Sequence, residues 1–137
     1  MQKNKWINFL VDSKAIESIY SQDKDIPDLK KITIENILLG FNLNNIKIKF
    51  QYPMPNIPPK KFILKNYNII IGDLNFLDIH NLKIEKSKFY IEEEVYDFFF
   101  KKLSEDNIDI EIKGSLGSRL QCSAGFISLL NFKGEYI

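Results

Sequence analysis

"NIKIKFQYPMPNIPPKKF", residues 45–62, divides into two halves of opposite habit. In the first, Ile46, Ile48, Phe50 and Tyr52 alternate with Lys47, Lys49 and Gln51. A period of two places all four apolar side chains on one face, the pattern of a half-buried antiparallel strand. In the second half, Pro53, Pro55, Pro58 and Pro59 remove backbone donors, so no central ladder continues through them. The segment is expected to be a rigid loop that crosses from one sheet layer to the other, with Tyr52 and Phe62 pinning its ends in the core. A second reading makes its exposed rim, Met54, Asn56 and Lys60, part of a binding surface. Locked prolines would lower the ordering cost of such a surface.

Outward from this stretch the same alternation recurs. Ile32 and Ile34 alternate with Thr33 and Glu35, with Ile37 following, and a turn is expected near Asn44-Asn45. Residues 66–86 read as two strands broken near His80-Asn81, with a bend or bulge at Gly72-Asp73. "NIDIEIKG", 107–114, alternates strictly and stops at its glycine. Residues 119–136 read as one or two strands kinked at Gly125. "FYIEEEVYDFFFKKL" fits an aromatic strand pair or a helix, and its aromatics favour strand. Only the N-terminus has helical spacing: Trp6, Phe9 and Leu10, then Ile16, Ile19 and Tyr20, interrupted at Asp12-Ser13, either of which can cap a second piece. Pro27 bars further helix. The expected fold is α+β, a short N-terminal helical segment followed by a mostly antiparallel β meander or sandwich of seven or eight strands.

The 137 residues fit a single domain over 1–137. Eleven Phe and six Tyr are too much apolar surface to leave wet, which argues against disorder. Net charge is +1, with lysines and acids interleaved, so nucleic acid is not an expected partner. The same balance argues against a polybasic membrane anchor. No apolar stretch approaches the roughly 20 residues of a bilayer span. The N-terminal apolar run breaks at Asp12, unlike a signal peptide, so cytoplasmic residence is the simplest expectation.

Chemistry-bearing residues are few. With one cysteine, Cys122, no internal disulfide can form, and the residue reads as a small buried hydrophobe rather than a nucleophile served by His80. His80 is the sole histidine, and no second one completes a zinc site. "GSLGSRL", 114–120, lacks the lysine and helix of a phosphate loop and reads as a hairpin connection. Its Arg119 suits a structural ion pair better than a ligand anchor. The run Glu92, Glu93 and Glu94 with Asp97, beside Tyr96, could be a general acid/base group, a metal site or a patch that docks a partner. Adjacent carboxylates diverge on a strand, which disfavours a metal cluster and favours a solvated rim or a docking patch. No catalytic, cofactor-binding or metal-binding constellation emerges.

Several elements in order resemble the Immunity protein 50 family of bacterial polymorphic toxin systems. They are "KWINFL" (5–10), "IESIYSQDKDIPDLKKITIENILL" (16–39), "IKIKFQYPMPNIPPKKF" (46–62), "NIIIGDLNFLDIHNLKIE" (68–85) and the closing "IDIEIKG…FISLLNFKGEY". Trp6, Tyr20, Pro27 with Leu29, and Pro53, Pro58, Pro59 and Lys60 stand where the family pattern has its Trp, its Tyr, its Pro-x-Leu and its proline-lysine loop. A phenylalanine, Phe62, follows where members often carry tryptophan. The resemblance implies a non-catalytic intracellular antidote, without cofactor, that binds a cognate toxin protein and neutralises it. Glu92, Glu93, Glu94, Tyr96 and Asp97, with Met54, Asn56 and Lys60, are the expected partner-binding residues. A generic β-rich interaction module without a toxin is the alternative.

Overall fold

A computed structural model describes residues 6–20, 25–30, 32–40, 44–85 and 94–136. It contains mostly antiparallel strands in two sheets and a few short helices, an α+β, β-rich fold. The alternating stretch becomes strand β2 (Asn45–Tyr52), whose Ile46, Ile48, Phe50 and Tyr52 are fully buried. Each such burial contributes roughly 1.5–3 kcal/mol relative to exposure, so the face that points inward is not in competition with the lysine face. On either side lie β1 (Thr33–Leu39) and β3 (Ile69–Leu77), and β8 (Phe126–Glu135) completes a sheet of order β1-β2-β3-β8. In β1 a register shift at Glu35 keeps the half-buried Ile37 on the inner face.

The second sheet has the order β4-β7-β6-β5, from β4 (His80–Glu85), β7 (Arg119–Ala124), β6 (Asn107–Gly114) and β5 (Val95–Ser104). Ile108, Ile110 and Ile112 of β6 join one hydrophobic cluster with the inner residues of the first sheet. Phe76 of β3 meets Phe98 and Phe100 of β5 edge-on, each at 6.4 Å between ring centres. Residues 95–104 are therefore strand, as the aromatics predict; 87–93 lie outside the described residues.

Two strands turn the corner between sheets. After Leu77, Asp78 adopts a positive φ of 53° and the chain enters β4. Opposite it the chain leaves β7 for β8 at Gly125, whose amide donates to the Leu77 carbonyl at 2.8 Å. The breaks expected near His80 and at Gly125 are thus one corner, where paired strands pass together from sheet to sheet. At another corner the Val95 amide donates to the Ile32 carbonyl at 3.1 Å and Thr33 bridges Glu94, tying the start of β1 to the start of β5.

The proline segment does not cross between layers as expected. It joins β2 to β3, which are neighbours in one sheet, with Tyr52 opposite Ile70. It also contains a helix, α2 (Lys60–Leu64), with Pro59 at its N-cap. Proline is well tolerated where a helix begins, because the N–H it lacks would be unpaired there. Tyr52 and Phe62 do reach the core. The bulge expected at Gly72-Asp73 falls across the ladder, where β8 carries the extra residue. A Cβ on Gly72 would lie 2.8 Å from the Phe132 ring, so the missing side chain makes room for that phenylalanine.

The N-terminal piece forms a 3-10 turn over Trp6–Phe9 and α1 (Lys14–Glu17), split where Asp12-Ser13 interrupts the pattern. Asp12, not Ser13, supplies the cap: its Oδ1 accepts the Lys14 amide at 2.9 Å.

Candidate functional site

Residues far apart in sequence meet behind the proline segment. Tyr52 is surrounded edge-on by Trp6, Tyr20, Phe50 and Phe132, at 5.6–6.0 Å between ring centres. The Pro27 carbonyl accepts both the Tyr52 hydroxyl and the Trp6 indole N–H, the latter at 3.0 Å, and the Pro53 carbonyl accepts the Tyr20 hydroxyl. Burial pushes both tyrosine hydroxyls well above their ordinary range, so each stays a donor. This knot fixes segment 25–30 and the base of the proline segment, and it leaves two surfaces facing out on either side.

The first surface is the corner where β5 begins. Glu94, Tyr96 and Asp97 line one depression with Lys30 and Ser115. Tyr96 is the extra residue of a bulge against β6 and is 69% exposed. Asp97 stands opposite Lys113 across the ladder, so cations flank this acidic corner. Beside it a groove of about 1020 Å³ runs between the Trp6–Phe9 turn, segment 26–30 and residues 97–102 of β5. Glu92 and Glu93 lie outside the described residues.

The second surface is the proline segment. Met54 and Asn56 line a hollow with Tyr20, Pro27 and Ile57, while Lys60 stands apart on α2. The expected contact residues therefore split into two groups separated by segment 25–30. Sequence reasoning missed the neighbours that project furthest: Ile57 is 88% exposed, Leu64 82% and Ile63 59%. Lys61 and Lys65 lie over the Phe62 and Tyr67 rings, at 5.8 and 5.9 Å from their centres. A signal was available: from Asn36 through Gly72 the chain has five lysines and no carboxylate.

Arg119, Cys122 and His80 line neither surface. Arg119 Nη2 and Nε both donate to Glu111 Oε2, at 2.7 and 3.2 Å, an ion pair within the sheet. Gly114 to Arg119 is a hairpin connection, with Gly117 at φ 97°. Cys122 is buried, and desolvation pushes its thiol up to about 12, far from a thiolate at neutral pH. His80 is exposed opposite Ser123, whose neighbour Cys122 points to the other face. Among the described residues no group of three His, Cys, Asp or Glu is placed to share a metal ion. Nor is any helix among them long and apolar enough to cross a membrane.

The chain belongs to the Immunity protein 50 family, whose pattern matches residues 12–134. Membership implies an immunity protein of a toxin system. The chain is also similar to a solved structure described as an uncharacterized protein from Neisseria gonorrhoeae. The two share 16% identity and a TM-score of 0.48, over 73% of this chain and 90% of that one. No curated protein matches the chain.

Proposed function

We propose that the protein neutralises one cognate toxin domain by stoichiometric, non-catalytic binding in the cytoplasm. The observation that carries this reading is the family match over nearly the whole chain. Two features of the surface support it. Tyr96 and Phe99 expose half or more of their area on edge strand β5, and aromatic side chains of this kind serve as anchors in protein interfaces. The proline segment presents Met54, Asn56 and Lys60 on a backbone with few conformations to lose. Glu94, Tyr96 and Asp97 on one side, with Glu92 and Glu93 next to them in sequence, and the proline rim on the other are the contact surfaces of this reading.

The test is co-expression. Cells making the toxin domain encoded beside this gene survive when the protein is supplied, and the purified pair elutes as a one-to-one complex. Equal killing with and without the protein, or two species that elute separately, sinks the proposal.

A further inference from the structure

We propose that the ridge formed by the proline segment and α2 is the face that grips the toxin, and that the toxin meets it with an acidic surface hollowed to receive aliphatic side chains. The inference rests on the toxin-binding reading above and names the partner's chemistry.

Three observations converge on the ridge. Ile57 and Leu64 are the most exposed large apolar side chains among the described residues, at 88% and 82%, and Ile63 stands beside Leu64. Exposed aliphatics held on a rigid element are suited to fill pockets in a partner. Lys60, Lys61 and Lys65 surround them, and none has a carboxylate within ion-pair distance among the described residues. The sequence supplies no acid between Asn36 and Gly72 to neutralise them locally. At the β5 corner, by contrast, the charges are of both signs: Glu94 and Asp97 line one depression with Lys30, and Asp97 stands opposite Lys113 across the ladder. Three lysines without an ion pair among the described residues thus ring the exposed aliphatics of the ridge, and their sign suits an acidic partner.

The ridge is also preformed. Phe62 is buried under it, 5.5 Å from Tyr67 in edge-on contact. The Tyr67 amide donates to the Phe62 carbonyl at 3.0 Å, and Asn66 reverses the chain at φ 56°. Docking then costs little ordering of the backbone. A nucleic acid suits the ridge poorly, since its exposed tips are aliphatic and offer no ring for a base to stack on. A bilayer suits it poorly too: helices that lie in a membrane surface present a long apolar face, and α2 has five residues.

The experiment titrates the protein with the purified toxin domain encoded beside its gene, in three double variants and wild type. Ile57→Ser with Leu64→Ser should weaken binding at least about 100-fold, through faster dissociation. Lys60→Glu with Lys65→Glu should weaken it about tenfold or more, slow association and flatten its salt dependence. Lys83→Glu with Lys133→Glu makes the same change of net charge elsewhere and should stay within about threefold of wild type. All substituted positions are exposed, and thermal unfolding confirms that each variant is folded. If wild type binds and both ridge variants bind equally well, the ridge is not the docking face. If ridge and control charge variants lose equally, the attraction is not local and the proposal fails. Ridge-dependent sedimentation with phosphatidylglycerol vesicles, with toxin binding intact, would replace the toxin by a membrane. Wild type that does not bind the toxin at all sinks the neutralisation reading itself.

Discussion

Tyr52 donates its phenolic proton to the Pro27 carbonyl, 25 residues earlier in the chain, and shares that acceptor with the Trp6 indole. A residue at the end of a central strand thereby holds in place the segment that enters the first strand. Tyr52→Phe keeps the ring and removes the hydroxyl. Trp6 still donates to Pro27, so the carbonyl is not orphaned. The variant should lose about 1–2 kcal/mol of stability in urea titration with an unchanged m-value. A loss indistinguishable from zero would show that the hydroxyl contributes nothing beyond the ring.

Stability should decline at alkaline pH in two steps. Burial raises the Cys122 thiol from 9.0 to about 12 and lifts the Tyr20 and Tyr52 hydroxyls well above 10.0. Each folded-state value lies above its unfolded one, so the unfolded chain ionises first. The contribution is complete below the unfolded values and is lost as pH rises through the folded ones. Cys122→Ala should remove the part of the decline that begins near pH 9 and leave the tyrosine part beginning near pH 10. Identical pH profiles for variant and wild type would refute the thiol's share.

At acid pH the sign reverses. The Arg119 hydrogen bond, helped by Lys113, holds the Glu111 carboxyl below its ordinary value of 4.5. That contribution is present above pH 4.5 and lost as pH falls through the lower folded value. Arg119→Ala should move the acid unfolding midpoint to higher pH. It should also lower the urea midpoint at pH 7, modestly because water screens both side chains, and that loss should shrink as pH falls below 4.5. An acid midpoint that does not move would show that the pair is not coupled to folding.

Gly134 sits where a Cβ would lie 2.5 Å from the Tyr67 ring and 3.2 Å from the Phe62 ring. Gly134→Ala should therefore cost roughly 1–3 kcal/mol by overpacking, and it should loosen the ridge above those rings. Faster amide exchange at Asn66 and Tyr67 would report the loosening. Wild-type exchange there, with wild-type stability, would show that the rings yield freely.

Much of the fold is legible in single strands. Ile46 to Tyr52 and Ile108 to Ile112 declare their buried faces because neighbours two residues apart share a side of the sheet. The interruption at Asp12-Ser13 marks the gap between the two helical pieces for an equally local reason. What the sequence hides is set by pairing at a distance. His80-Asn81 and Gly125 each read as a break, yet nothing local says that the chain turns at Asp78 or that the two breaks face one another across a ladder. Pro53 to Pro59 look like a crossing between layers, because prolines forbid a strand but do not say where the next one docks. Of the site, the chemistry of Glu94, Tyr96 and Asp97 is visible as a motif. Ile57 and Leu64 look like core residues until Phe62, between them, takes the buried place.

Because the chain passes from sheet to sheet at two paired points, Asp78 and Gly125, neither sheet can peel from the other without tearing that corner. The sandwich has no seam along which a half-open species could persist. Heat should dismantle it in one concerted event, with calorimetric and van't Hoff enthalpies in agreement. For proteases that sample partly opened molecules, the paired strands of such a protein are offered together or hardly at all.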